Sequence, residues 1–177
     1  MSAVDSLRAL ARLPVLALLL AAAVPWLAGG LAAGPAVIAG RASVVDGDTI
    51  EIHGRRIRLA GIDAPESRQR CDRDGRSWAC GKAAAFALAD RIGSAAVICE
   101  ASSHDRYGRL IAVCTASGEE LNRWMVKQGW AVAYRRYSQA YAGAETDARA
   151  NRRGIWAARF DMPWTWRKNA RQSSPAS

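Results

Sequence analysis

Apolar and polar positions change rhythm several times along the chain, and each change marks an element. From Ala42 to Ile52 the pattern is that of a strand, interrupted at Asp46-Gly47-Asp48 by a triplet that signals a bend or bulge. His53-Gly54 then reads as a tight hairpin turn, with "RRIRLAGI" (55–62) as the returning strand. Helical spacing predicts a helix at about Ser77–Ile92, where Lys82, Phe86 and Leu88 stand among alanines. "AAVICE" (95–100) and "GRLIAVC" (108–114) read as a second hairpin turning near Arg106-Tyr107, and Ser117-Gly118 ends it. In "EELNRWMVKQG" (119–129), Leu121, Trp124, Met125 and Gln128 keep helical spacing, acids open the segment and Gly129 closes it. "WAVAY" (130–134) suits a short strand, and a last helix is expected over about Ser138–Arg153, with Ser138 as N-cap and Gly154 as C-cap.

No repeat or interdomain linker interrupts this order, so the pattern predicts one α+β domain with a small twisted sheet or barrel. The ends differ from the middle. Leu13 to Ala39 carries no charge, Arg8 and Arg12 precede it, and small residues follow "LPVLALLLAAAV", which together match an export peptide. The run also reaches the roughly 20 apolar residues that span a bilayer, so an uncleaved membrane anchor is the competing reading. Pro14, Pro25, Pro35 and Gly29-Gly30 work against a continuous helix and favour cleavage between Ala28 and Ala39. Residues 1–39 are thus assigned to the signal peptide or anchor, 40–160 to the folded domain, and 161–177 to a polar, loose C-terminal tail.

The cysteines agree with export. Cys71, Cys80, Cys99 and Cys114 include no C-x-x-C pair, which argues for disulfides in an oxidising compartment and against zinc. In the second hairpin Cys99 and Cys114 are equidistant from the turn and so directly opposite, within disulfide reach. Cys71 and Cys80 then close the arginine-rich loop "CDRDGRSWAC", a ring that contributes roughly 2–3 kcal/mol on the loop-entropy model.

Formal net charge is +9, and about +8 once residues 1–39, with Arg8, Arg12 and Asp5, are removed. The surplus is almost all arginine, 22 Arg against three Lys. A coding bias explains that as readily as a polyanionic partner whose phosphates match the guanidinium fork.

Charge gathers most densely in residues 44–66, "VVDGDTIEIHGRRIRLAGIDAPE". With a two-residue turn at His53-Gly54, Asp48 faces about Leu59 and so lies near Arg58. Asp63 joins them only if the chain curls back after Leu59, which Gly61 permits. Asp48 and Asp63 could then hold Ca²⁺ or Mg²⁺ with carbonyls and waters, Glu66 could take a proton from an attacking water, and Arg58 could neutralise charge building on a phosphate. Ordinary exposed ion pairs, each worth about 0–1 kcal/mol, explain the same composition.

"VVDGDTI", "RLAGIDAPE", "DRYGR" (105–109) and "LNRWMVKQGWAVAY" (121–134) resemble, in order and approximate spacing, the staphylococcal nuclease (thermonuclease) family over about residues 41–157. The resemblance implies a five-stranded OB-fold β-barrel with three α-helices. It also implies a Ca²⁺-dependent enzyme, with Mg²⁺ the lesser candidate, that cuts DNA and RNA, preferentially single-stranded, and leaves 3′-phosphates. Asp48, Asp63 and the Ala64 carbonyl resemble the metal ligands, with Asp46 and Thr49 supporting them. Glu66 matches the general base, Arg58 and Arg109 the phosphate-binding arginines, and Arg106, Tyr107 and Tyr134 the nucleotide contacts. Tyr137 stands one residue beyond the second tyrosine of the family pattern, and Trp164 and Trp166 fall outside the resemblance. Trp78, Trp124, Trp130 and Trp156 are expected to pack.

The expected protein is an exported monomer, periplasmic or extracellular, that touches a membrane only if its N-terminal segment is retained. The alternative keeps the fold and loses catalysis, leaving an inactive nucleic-acid-binding module. His53 and His104 stand in no H-x-K or H-x-H arrangement, which argues against a histidine nucleophile.

Overall fold

The computed structural model describes residues 34–173. The expected export peptide or anchor therefore lies, through residue 33, outside the described residues. Among those described, no helix is long and apolar enough to cross a membrane.

Three strands open the chain: β1 (Ala36–Asp46), β2 (Thr49–Ile52) and β3 (Arg55–Leu59). Short pieces follow as β4 (Ile62–Asp63), β5 (Cys71–Arg73) and β6 (Arg76–Trp78), and then helix α1 (Cys80–Ile92). The second long hairpin is β7 (Ala96–His104) and β8 (Leu110–Ala116), followed by β9 (Glu119–Glu120), α2 (Leu121–Lys127) and β10 (Val132–Ala133). The chain ends in α3 (Ala142–Ala150), a single 3₁₀ turn at Gly154–Ala157 and α4 (Pro163–Ser173).

Sheet order β3-β2-β1-β7-β8 closes on itself because β3 also pairs with β8, in parallel, Ile57 opposite Leu110 and Leu59 opposite Ala112. The five-stranded OB-fold barrel is the result, and closure leaves these strands without a free edge at the seam. Its interior is filled by Ile50, Ile52, Ile57, Leu59, Val97 and Leu110, and α1 and α2 cover it with Leu88, Leu121, Met125 and Val126. Buried Asn122 on α2 ties the seam together: its Nδ2 donates to the carbonyls of Ala60 and Ala112 at 2.9 and 3.1 Å, and its Oδ1 accepts from the Cys114 N–H at 3.0 Å.

The turns behave as the pattern indicates. A register shift between Val44 and Asp46 marks the expected bulge, and His53 and Gly54 both take positive φ, 52° and 73°, in the hairpin turn. Cys99 lies opposite Cys114 and is bonded to it, and Cys71 is bonded to Cys80.

Several boundaries differ from expectation. β1 starts at Ala36, so Ala36–Ala39, given to the N-terminal segment on hydropathy, pair with Ile98–Ala101. Ser77 and Trp78, expected to open the helix, belong to β6, which pairs with β5, and Glu119–Glu120 pair with β8 instead of opening α2. Ser138 is not a helix cap; its hydroxyl accepts from the Ala140 N–H at 3.1 Å and α3 begins only at Ala142.

The largest correction concerns the end of the chain. Within the segment expected to be a loose tail, residues 174–177 lie outside the described residues, and Pro163–Ser173 form a fourth helix, one more than the three expected. Pro163 stands at its first position, where a fixed φ favours initiation and the missing N–H costs nothing. The approach to this helix is held down before it begins. Asp72 and Arg159 exchange backbone hydrogen bonds of 2.9 and 2.7 Å, and buried Gln69 donates to the Asp161 carbonyl at 2.6 Å. Phe160 and Met162 pack on a small second core of Cys71, Cys80, Val132 and Ile155, with Trp78 and Trp156 against it.

Candidate active site

Three turns bring acidic side chains to one rim of the barrel. In the β1–β2 turn the Asp46 carboxylate accepts from the Asp48 N–H at 3.0 Å, and the Thr49 hydroxyl donates to Asp48 Oδ1 at 3.1 Å. Thr49 faces Arg58 across the β2–β3 ladder, which places the guanidinium beside Asp48. Gly61, at φ 72°, then turns the chain so that Ile62–Asp63 pairs with Val132–Ala133. A Cβ at Gly61 would also crowd the Tyr141 ring at 2.8 Å. The curl returns Ala64 to the first turn, where its N–H donates to Asp48 Oδ2 at 3.0 Å.

Arg58 bridges the two aspartates, NH1 donating to Asp48 at 2.6 Å and NH2 to Asp63 at 2.8 Å. Both carboxylates are buried, with side-chain exposures of 5% and 0%. Burial pushes the Asp48 carboxyl above its ordinary range; Arg58 pulls it down, the Asp46 charge adds to the rise, and the Ala64 N–H opposes it. Burial works against the Arg58 charge as well, but Asp48 and Asp63 outweigh it and its pKa is raised.

A second guanidinium, absent from the sequence expectations, completes the cluster. Arg167 on α4 donates to both oxygens of Asp63, NH1 to Oδ1 at 3.0 Å and NH2 to Oδ2 at 2.7 Å, and to Glu66 Oε1 at 2.7 Å. Burial opposes this charge too, and the bonds to Asp63 and Glu66 override it, so the pKa is raised. The Glu66 backbone is fixed separately, its N–H donating to Gln69 Oε1 at 3.2 Å. Gln69 thus links Glu66 to the approach to α4.

Asp48, Arg58, Asp63 and Glu66 are therefore joined in one bonded network. Arg109 is not bonded to it: the β3–β8 register sets its neighbour Leu110 opposite Ile57, and its own guanidinium holds Asp105 at 2.7 Å. Arg106 and Tyr107 form a separate exposed pair, the guanidinium donating to the phenol at 2.7 Å and lying 4.8 Å over the ring. Tyr134 is held between two bonds to the buried Glu145 carboxylate, from the Ala133 N–H at 3.2 Å and the Arg135 guanidinium at 2.6 Å. Trp164 stacks on it, centroids 5.6 Å apart and planes 7° from parallel, and Tyr137 meets it edge-on at 4.8 Å. Two concave surfaces lie along α4: a cavity of about 530 Å³ edged by Tyr134, Trp164, Arg135 and Arg136, and one of about 390 Å³ edged by Glu66, Arg68 and Trp166.

The donor set suits a hard divalent cation. No three His, Cys, Asp or Glu side chains converge at metal-ligand spacing among the described residues, so a cation held by Asp48 and Asp63 would need carbonyls and waters to complete its shell. The two aspartates keep capacity for this. A carboxylate has about four lone-pair positions, and the bonds already named leave one on Oδ2 of each.

The fold and site define the chain as a closed OB-fold barrel with buried carboxylates bridged by a guanidinium. Comparison narrows it. The profile described as Staphylococcal nuclease homologue matches residues 56–158. The succinoglycan biosynthesis protein ExoI of Rhizobium meliloti (strain 1021) is 45% identical over 125 residues, covering 68% of this chain and 65% of that protein. The chain thus spans just under two thirds of that relative. Protein ParB of Escherichia coli is 35% identical over 145 residues, covering 72% of this chain and 77% of its own length. The micrococcal nuclease of Shigella flexneri is 35% identical over 150 residues, with coverages of 74% and 80%. The chain belongs to the staphylococcal nuclease family.

Proposed function

We propose that the protein is a nuclease that hydrolyses phosphodiester bonds of DNA and RNA with Ca²⁺ and little sequence specificity, leaving 3′-phosphate ends. The observation that carries this reading is the network joining Asp48, Arg58, Asp63 and Glu66, a set that pairs metal-holding oxygens with a proton acceptor and a phosphate-binding cation. Asp48, Asp63 and the Ala64 carbonyl hold the metal, which when bound polarises a phosphate oxygen. Asp46 and Thr49 orient Asp48.

Glu66 accepts the proton of the attacking water through Oε2, the oxygen that Arg167 leaves untouched. Arg58 meets the charge that develops on the phosphoryl oxygens, and Arg109 swings from Asp105 to share it. Arg106, Tyr107 and Tyr134 hold flanking phosphate and base; a stacked base gains roughly 1–3 kcal/mol whatever its identity, which suits a non-specific, single-strand-preferring enzyme. Two disulfides and the charge-free N-terminal run support export to the periplasm or beyond the cell.

The test is a gel assay of the folded chain on denatured DNA and on RNA, with calcium and with excess chelator. Calcium-dependent cleavage that the chelator stops is expected. Binding without cleavage in calcium would replace this reading with an inactive binding module.

A further inference from the structure

Arg167 lies beyond the residues matched by the family profile and on a helix that hydropathy assigns to a loose tail, yet it contacts two carboxylates central to the reading above. We propose that Arg167 is a positioning residue of the active centre, a guanidinium that locks the Glu66 carboxylate in a fixed pose against Asp63. The inference rests on the nuclease reading.

Glu66 supplies the first argument. Its carboxylate accepts a side-chain bond from Arg167 alone among the described residues, and it is about one-third exposed. A proton acceptor with several rotatable bonds and no other restraint would sample many poses, and catalysis depends on holding such a group close to one productive geometry.

Lone pairs and charge supply the second. The two-toothed bond to Asp63 leaves one Oδ2 position open, and Glu66 Oε2 stays free, so Arg167 can remain in place with metal and water present. Four carboxylates, Asp46, Asp48, Asp63 and Glu66, meet three guanidinium groups, Arg58, Arg167 and, once it leaves Asp105, Arg109. A bound divalent cation and one phosphodiester then bring the centre to neutrality; without Arg167 it would carry excess negative charge against an anionic substrate.

Delivery by the fold supplies the third. The Gln69–Asp161 bond, the Asp72–Arg159 backbone pair and the Trp164–Tyr134 stack all fix α4 without involving Arg167. A helix anchored at three other points brings its arginine to the same place whether or not the carboxylates demand it.

The experiment compares the full folded chain with Arg167→Ala, Arg167→Lys, Glu66→Gln, the Arg167→Ala/Glu66→Gln double variant and Lys168→Ala, an exposed neighbour. Thermal midpoints are recorded alongside kcat and KM on a single-stranded oligonucleotide in calcium. Arg167→Ala is expected to stay folded and to lose about 10–100-fold in kcat, the usual cost of removing a group that orients a catalytic ligand. Its KM should change little, Arg167→Lys should recover part of the rate, the double variant should be no slower than Glu66→Gln alone, and Lys168→Ala should match wild type.

An Arg167→Ala enzyme with wild-type kcat, or one whose loss multiplies with that of Glu66→Gln, overturns the inference. A faster Arg167→Ala enzyme makes Arg167 a block on the site and overturns it equally. Inactive wild-type protein is a distinct result, which sinks the nuclease reading itself.

Discussion

Gly81, in the first turn of α1, lies so close under Glu66 that a Cβ there would overlap the Glu66 carbonyl oxygen. Helix and the loop at Glu66 meet backbone to backbone, with the Gly81 N–H donating to the Gln69 carbonyl at 3.3 Å. Alanine is the better helix former by up to about 1 kcal/mol, but overpacking against a backbone costs about 1–3 kcal/mol and should win. Gly81→Ala is therefore expected to lower the thermal midpoint and, by moving the Glu66 backbone, to lower kcat more than KM. A variant as stable and as active as wild type would show that the loop moves freely away from α1.

Arg58 stands between two buried carboxylates, so its truncation leaves both without their shared partner. Removing one member of a buried ion pair costs about 3–5 kcal/mol, and Arg58→Ala should be destabilised on that scale without metal. Calcium, bound to the same aspartates, should narrow the gap. Urea unfolding of wild type and variant, with calcium and with chelator, checks both statements. Arg58→Lys should rescue little, since a single ammonium cannot reproduce a fork that reaches Asp48 with one nitrogen and Asp63 with the other.

The pH dependence follows from Asp48. Its carboxyl is raised by burial above the ordinary 3.8, so the folded, metal-free protein holds that proton more tightly than the unfolded chain does. Stability from this group is therefore fully present below the unfolded value and is lost as pH rises through the folded one. Asp48→Asn abolishes the loss and keeps an oxygen for Arg58 and Thr49, but it sets an amide NH2 against the Ala64 N–H, a cost that does not vary with pH. Relative to wild type, the variant is therefore expected to gain stability from pH 4 to neutral pH in chelator, and to lose its stabilisation by calcium. Melting curves across pH for the two proteins read this directly; a stability difference between them that stays constant from pH 4 to neutral pH would refute it.

Much of this site was readable because its parts are local. Asp46, Asp48, Thr49 and Arg58 sit on one hairpin whose two-residue turn sets their register, and Gly61 announces the curl that recruits Asp63. The disulfide Cys99–Cys114 followed from the same counting across the second hairpin. Arg167 was illegible for the opposite reason: its bond to Asp63 spans 104 residues, and no periodicity encodes a contact at that separation. Pro163 was the available signal, a helix-initiating residue ahead of Trp166 and Ala170 at i, i+4 spacing, but the surrounding polarity suggested a solvated tail. Gln69 and Asn122 escaped notice similarly, because a buried amide is defined by the carbonyls around it and not by its neighbours in sequence.

The Cys71–Cys80 bond should matter to catalysis as well as to stability. Its ring carries Asp72, whose backbone pairs with Arg159, and it begins two residues after Gln69, which holds both the Glu66 N–H and the Asp161 carbonyl. Opening the ring frees a short loop at a cost of roughly 2–3 kcal/mol on the entropy model and loosens the approach to α4. The Cys71→Ser/Cys80→Ser variant is thus expected to reproduce the kcat loss of Arg167→Ala, and the two changes combined should be no worse than either alone. Cys99→Ser/Cys114→Ser is the contrasting case, because that bond staples β7 to β8 inside the barrel core and touches none of the residues that deliver α4. It should lower the melting temperature and leave kcat of the folded fraction near wild type. Kinetics of both variants well below their melting temperatures decide the matter, and equal kcat losses from the two would separate α4 docking from the Cys71–Cys80 ring.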